Sequence, residues 1–373
     1  MSAQKKKISQ QTGFTNEFLK KLNALSSDDK RLFERIYKVW ETKGELIAPK
    51  EMTSYITSNF GDVDSVTKQD FIKITDKIIY EGAIFNELRT RRPQVKDQHF
   101  DQILDRVMNK EHCIFETPLT GTPADTFGRV KGDYCITCSN LAKYDGLHGI
   151  IIFNEHNPLL FSRKRVRDYF RVAKKWFIKA HKSNPSAIYP FYTWNCLWKS
   201  GASIIHGHSQ IELTEGMPYS KVEQLRHLTL NYLERYRSNY FDDVYYLHEK
   251  LGLAFQRGNQ KLIVKITPVK EKETMILADN FDDELADIVS DTLNTMKEKL
   301  AVMSFNLSVV LPPVKSSVEV WNHMPIIVRI VDRGKLSNQT TDVGAMELYA
   351  QSVIGTNPYL VYKELKKALI ESK

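Results

Sequence analysis

Cysteine is scarce: Cys113, Cys135, Cys138 and Cys196 are the only four in 373 residues, which fits a reducing compartment and excludes a disulfide framework. Long apolar runs are missing too. The stretch around Gly149 to Phe153 is strand-sized, far short of the ~18 residues that cross a bilayer, so no membrane-spanning segment is expected. Met1 to Gln11 carries Lys5, Lys6 and Lys7 with no apolar stretch behind them, which argues against a secretory signal and places the chain in the cytoplasm. With 17 Gly and 13 Pro the chain is neither fibrous nor of low complexity. Acidic residues fall short of basic ones, 45 against 53. The resulting charge of +8 permits phosphate-bearing partners without choosing between a nucleotide, a nucleic acid and a membrane surface.

What is present is the composition of a globular protein, 42% hydrophobic and 26% charged, in a chain long enough for two to three domains with a substantial core. Residues 1–82 read as a small helical domain. Phe33, Ile36, Tyr37 and Trp40 recur at helical spacing behind the N-cap material Ser26 to Asp29, and Lys68 to Ile79 suggests a further helix, as in a winged-helix unit. Such a unit with surplus basic charge leaves nucleic acid open as a partner, although it has no dense basic stripe.

From Gly132 the pattern becomes β-rich. Tyr134 to Thr137 and Gly149 to Phe153 read as paired strands, Arg163 to Lys182 as a helix stopped by Asn184-Pro185, and Ile188 to Leu197 and Ile204 to Leu213 as two more strands. A weaker copy comes later in Leu253 to Gln256, Lys261 to Ile266, a helix from Asp282 to about Leu300, Phe305 to Leu311 and Pro325 to Val331. The interval from Arg163 to His206 nearly equals that from Asp282 to His323, which supports an internal duplication. The expected fold is α+β: two β-β-α-β-β repeats with antiparallel sheets, residues 83–218 and 219–373, behind the helical domain.

The chemistry concentrates between Asn195 and Leu213. On a strand His206, His208 and Gln210 share one face, and Ser200, Gly201 and Ser203 just upstream offer hydroxyls and backbone N–H groups as a phosphate cradle. Two histidines merely hydrogen-bonded along a strand, or a zinc on His206 and His208, are the competing readings. The zinc reading lacks a third ligand at the usual spacing.

The stretch resembles the histidine-triad superfamily, in the H-x-H-x-Q branch that holds galactose-1-phosphate uridylyltransferases and diadenosine tetraphosphate phosphorylases. Asn195, Gly201 and Ser203 stand at that branch's offsets before His206. The resemblance implies a duplicated HIT-like half-barrel with one active site per chain, since the second repeat keeps only His323 near the motif position. It also implies a nucleotidyltransferase, acting on a nucleotide-sugar and a sugar 1-phosphate or on a dinucleoside polyphosphate. A binding protein that retains the fold without catalysis is the reading from another class.

By this resemblance His208 is the nucleophile and the His206 carbonyl orients it. Gln210 donates to a phosphate oxygen, and Asn195, Gly201 and Ser203 position the phosphates. Arg89 and Arg92, in Phe85 to Pro93, match the family's R-x-x-R-P element, whose planar donors grip phosphate. Gly344 and Glu347 lie where the family contacts sugar, although no aromatic follows Gly344 and Glu347 stands one residue further on than the pattern. The implied partners are a nucleotide, a phosphorylated small-molecule acceptor and a second copy in a homodimer. No cofactor is required. A structural zinc on Cys135 and Cys138 is not favoured, because residues three apart on a strand face opposite ways.

Overall fold

The computed structural model describes residues 13–91, 105, 107–338 and 340–371. It opens with two helices, α1 (Phe14–Asn23) and α2 (Ser27–Ile36), the second started by the Ser26 hydroxyl accepting from Asp29 N at 3.1 Å. The helical spacing then misleads. Tyr37–Glu45 is a strand, β1, and after α3 (Thr53–Phe60) and α4 (Val63–Thr67) the expected helix at Lys68 is also a strand, β2 (Lys68–Asp76). The reason is period: Ile72, Ile74 and Asp76 are buried at every second residue, and β2 pairs with β1 along its full length. β3 (Gly82–Phe85) extends this hairpin as a third strand.

The first repeat comes next as β4 (Cys135–Ser139), β5 (His148–Phe153), α5 (Arg163–Ser183), β6 (Ala187–Cys196) and β7 (His208–Glu215). Helices α6 (Ser220–Tyr236) and α7 (Tyr240–Lys250) lead to β8 (Ala254–Arg257), β9 (Gln260–Val264), β10 (Thr274–Ala278), α8 (Asp283–Leu300), β11 (Phe305–Val310) and β12 (Ile326–Asp332). The chain closes with β13 (Ser352–Ile354), parallel to β3, and helix α9 (Pro358–Lys366).

One nine-stranded sheet runs β4-β5-β7-β6-β11-β12-β10-β9-β8. The order is a near palindrome about the β6–β11 seam, as expected for two β-β-α-β-β repeats joined edge to edge. One assignment changes. The second repeat's first pair is β9 and β10, and Leu253 to Gln256 is the added edge strand β8. The run Thr274–Ala278 is buried at every position, so it has no alternation by which to be read as a strand.

Helices α5 and α8 pack on one face of the sheet, burying Trp176, Tyr192, Trp194, Val289 and Val328 in the main core. They are also laced by charge. Arg163, Arg167 and Arg171 meet Asp291, Asp287 and Asp283 in reverse order, with Nε to carboxylate distances of 2.8, 2.6 and 2.9 Å. Steps of four residues on antiparallel helices produce this ladder.

On the opposite face the repeats differ. In the second repeat Ile263, Met275, Leu277 and Ile327 are apolar and are covered by α1, α2 and α7. The main polar intrusion is Arg329, which joins Glu273 and Glu81 at 2.6 Å each, with Lys265 also on Glu81. Burial alone would raise the Glu81 carboxyl, but Arg329 and Lys265 reverse this and hold it well below the carboxylate range. In the first repeat the same face carries the histidine motif.

Reversing one rung, Arg167→Asp, should destabilise the chain by about 1 kcal/mol, and Asp287→Arg in the same chain should restore most of the loss. Thermal unfolding of the four chains of this cycle measures the coupling, and additive losses would show that the rung contributes nothing.

Candidate active site

Strand β7 begins at His208, four residues later than the expected start at Ile204, because the chain before it is held by the end of β5 and the turn beyond it. Phe153 N donates to the Gly207 carbonyl and Gly207 N to the His156 carbonyl, both at 2.9 Å. A Cβ at Gly207 would lie 2.7 Å from the Phe153 ring and 3.0 Å from the Glu155 carbonyl, so only glycine fits between the two histidines. His206 therefore precedes the strand, while His208, Gln210 and Glu212 share its outer face.

His208 Nδ1 lies 2.7 Å from the His206 carbonyl oxygen. Only a protonated Nδ1 can donate to a carbonyl, so the neutral ring keeps its lone pair on Nε2. Burial pushes this imidazole below its ordinary value, which keeps the ring neutral. Phe115 stands edge-on to His208 and His206, at centroid distances of 5.4 and 5.8 Å, and packs with Ile136, Cys138 and Ile152 as a dry wall.

His206 Nε2 is 2.7 Å from the Phe153 carbonyl oxygen, which turns its Nδ1 toward Glu116 Oε1 at 3.2 Å and Cys113 Sγ at 3.6 Å. His156 Nδ1 meets the same Glu116 oxygen at 2.7 Å, and its buried Nε2 has no hydrogen-bond partner. One ligand atom from each of Cys113, Glu116, His156 and His206 lies within 4.8 Å of the others. A thiol, a carboxylate and two imidazoles are a zinc donor set, and the Phe153 carbonyl orients one of the imidazoles as second-shell partners do. The pattern C-x-x-E at Cys113 to Glu116 was the available sequence signal. Cys135 and Cys138 do point to opposite faces, Cys135 toward Asp168 at 3.4 Å and Cys138 into the Phe115 wall.

The other anticipated residues divide. Asn195 on β6 is fixed by Asn306, whose Nδ2 donates to its Oδ1 at 2.6 Å. Asn306 is in turn held by Arg333, which grips Asp342 at 2.9 and 2.8 Å. In the loop before the motif, Gly201 has φ +93°, a conformation that favours glycine. The N–H groups of Ser200 and Gly201 close the turn onto Leu197 and Trp198, and the Ser200 hydroxyl donates to Leu197, so the exposed hydroxyl of this loop is that of Ser203. Arg89 is exposed on the short turn after β3, on the other sheet from His208, and Arg92 lies outside the described residues. Glu347 accepts from Gly344 N at 2.9 Å, capping its own short helix on the surface.

His148 and Glu212 lie outside the H-x-H-x-Q pattern, so local spacing does not mark them. The two are cross-strand partners on β5 and β7, and both are buried beside Gln210. Burial pushes the Glu212 carboxyl up to about 8, with Asp145 adding to the effect. Between its ordinary 4.5 and about 8 the folded chain holds a proton that the unfolded chain has released, so Glu212 increasingly opposes folding as pH rises through that window. Glu212→Gln should therefore match the parent's melting temperature at acid pH and exceed it by a margin that grows toward pH 8. A pH-independent difference would show that the proton is not held.

No family model matches the chain, and no curated protein matches it in sequence. Solved structures do. ADP-glucose phosphorylase from Arabidopsis thaliana superposes with a TM-score of 0.59 at 16% identity, covering 79% of this chain and 97% of that one. A GalT-like protein from the same plant gives 0.56 at 17% identity, covering 70% and 93%. A uridylyltransferase gives 0.56 at 14% identity, covering 80% and 98%. At such identities the likeness is one of architecture: the chain shares the fold of these three proteins.

Proposed function

We propose that the protein is a nucleotidyltransferase that moves a nucleoside monophosphate from a nucleotide-sugar to a phosphorylated acceptor such as a sugar 1-phosphate, through a nucleotidyl-His208 intermediate. The observation that carries this reading is the 2.7 Å contact between His208 Nδ1 and the His206 carbonyl, which leaves Nε2 as a fixed nucleophile.

In the first half-reaction Nε2 attacks the α-phosphorus. The N–P bond forms, the bridging P–O bond breaks, and the sugar phosphate leaves with the electron pair. In the second half a phosphate oxygen of the acceptor attacks the same phosphorus, and the P–N electron pair returns to Nε2. Gln210 supplies N–H donation to a phosphate oxygen as charge develops there, and Asn195 and Ser203 position the phosphates. The Phe115 wall dries the back of the ring, which strengthens each of these interactions.

Cys113, Glu116, His156 and His206 would hold a structural zinc. Such an ion would tie the 113–116 segment over the motif and fix the backbone whose carbonyl orients His208.

The test is intact mass after incubation with UDP-glucose, GDP-mannose, ADP-glucose and diadenosine tetraphosphate. One of them should leave an acid-labile, base-stable adduct of one nucleoside monophosphate, absent in His208→Ala and slower by roughly 10²–10³ in Gln210→Ala. Labelling by diadenosine tetraphosphate alone would move the assignment to a dinucleoside polyphosphate phosphorylase. No adduct with any of them, or one that survives in His208→Ala, refutes the covalent mechanism. Elemental analysis should find about one zinc per chain, lost in Cys113→Ala and His156→Ala; unchanged metal content in both would remove the zinc assignment.

A further inference from the structure

Beyond Gln210 the structure holds a buried polar group that the proposed reaction does not itself use. His148 is fully buried at the start of β5, and its Nδ1 accepts a hydrogen bond from Tyr144 N at 2.9 Å. A ring nitrogen that accepts from a backbone N–H carries no proton, so the proton of neutral His148 must be on Nε2. Nε2 faces Gln210 Oε1 at 2.9 Å and Glu212 Oε1 at 3.2 Å. Asn140 Nδ2 also comes within 3.1 Å, but two donors form no hydrogen bond in this tautomer. Tyr144 lies over the ring at a centroid distance of 4.5 Å, and the Lys143 ammonium donates to the His148 backbone carbonyl at 3.1 Å, so the ring is covered on one face and the backbone that carries it is tied.

The consequence falls on Gln210. A carboxamide can present either its oxygen or its NH₂ to a ligand, and the two orientations differ by a rotation about the final torsion with little intrinsic preference. Only the NH₂ can stabilise a phosphate oxygen. We propose that His148, backed by Glu212, is a positioning residue: its Nε2–H holds the Gln210 oxygen and so presents the Gln210 NH₂ to the reacting phosphate. The pair occupies the strand face directly beyond the motif, with His148 opposite Glu212 and Ile150 opposite Gln210 in the β5–β7 register. Glu212 extends the motif to H-x-H-x-Q-x-E; its Oε1 shares the single Nε2–H at 3.2 Å, longer than the 2.9 Å to Gln210 Oε1, so the proton is directed mainly to Gln210. The inference rests on the nucleotidyl-His208 reading.

The experiment measures single-turnover formation of the adduct, with whichever of the four nucleotides labels the parent chain, in His148→Ala, His148→Gln, Gln210→Ala and His148→Ala/Gln210→Ala. His148→Ala should slow adduct formation roughly ten- to a hundred-fold with the half-saturating nucleotide concentration little changed. His148→Gln, which keeps an N–H near the position of Nε2, should recover most of the rate. The double variant should be no slower than Gln210→Ala, because a residue that acts through Gln210 has nothing to act on once it is gone. Multiplying losses, or a parent-like rate in His148→Ala, overturn the proposal while leaving the nucleotidyl-histidine intact. If the parent is labelled by no nucleotide, both readings fail. Long-range ¹H–¹⁵N NMR on the parent chain supplies a readout independent of activity and of whether the variants fold: His148 should show the Nε2–H tautomer, and an Nδ1–H tautomer excludes the proposed contact.

Discussion

The site depends on one hydrogen bond, from His208 Nδ1 to the carbonyl of His206, two residues back along the same chain. A side chain can reach that carbonyl only if the intervening residue folds tightly, and Gly207 does so against the Phe153 ring and the Glu155 backbone. Phe153 is itself stacked on Tyr169 of α5, with ring centroids 3.8 Å apart and planes 2° from parallel. The orientation of the proposed nucleophile is thus set by the packing of the main core. Its lone pair is aimed by backbone geometry, which needs no general base and no conformational search.

The same backbone segment serves three ends. The Phe153 carbonyl orients His206, the Gly207 carbonyl accepts from Phe153 N, and the His156 carbonyl accepts from Gly207 N. The histidine motif, the Cys113–Glu116–His156–His206 cluster and the end of β5 are therefore joined through one set of backbone hydrogen bonds. Further along β7 His148 Nε2 lies 2.9 Å from Gln210 Oε1, the contact on which the proposed orientation of the carboxamide rests.

Among the described residues the two repeats differ in what their outer faces carry. Both repeats bury one sheet face under α5 and α8, and the Arg–Asp ladder keeps those helices in register. The outer faces have diverged. The second repeat presents Ile263, Met275, Leu277 and Ile327, a surface that must be covered, and the N-terminal helices with α7 cover it. The first repeat carries the polar side chains of His208, Gln210, Glu212 and Asn195 on the same face. His323, just before β12 in the second repeat, is buried with Nε2 3.0 Å from the Arg226 carbonyl, a structural contact.

Local pattern carried much of this. The repeat order, the α5 boundary at Ser183, the opposed faces of Cys135 and Cys138, and the spacing of His206, His208 and Gln210 follow from periodicity and capping, which depend on neighbours in sequence. The hairpin of β1 and β2 was hidden because its apolar residues also fit helical spacing, and β10 was hidden because a strand buried throughout has no alternation to display. The amino-acid sequence by itself determined that two imidazoles and a carboxamide would recur beside a glycine, and so which chemistry was available. Only the tertiary structure decided which further groups join them. Cys113 and Glu116 reach His156 and His206, and His148 reaches Gln210, through strand pairing and loop closure between residues up to 93 positions apart, a proximity to which local periodicity is blind.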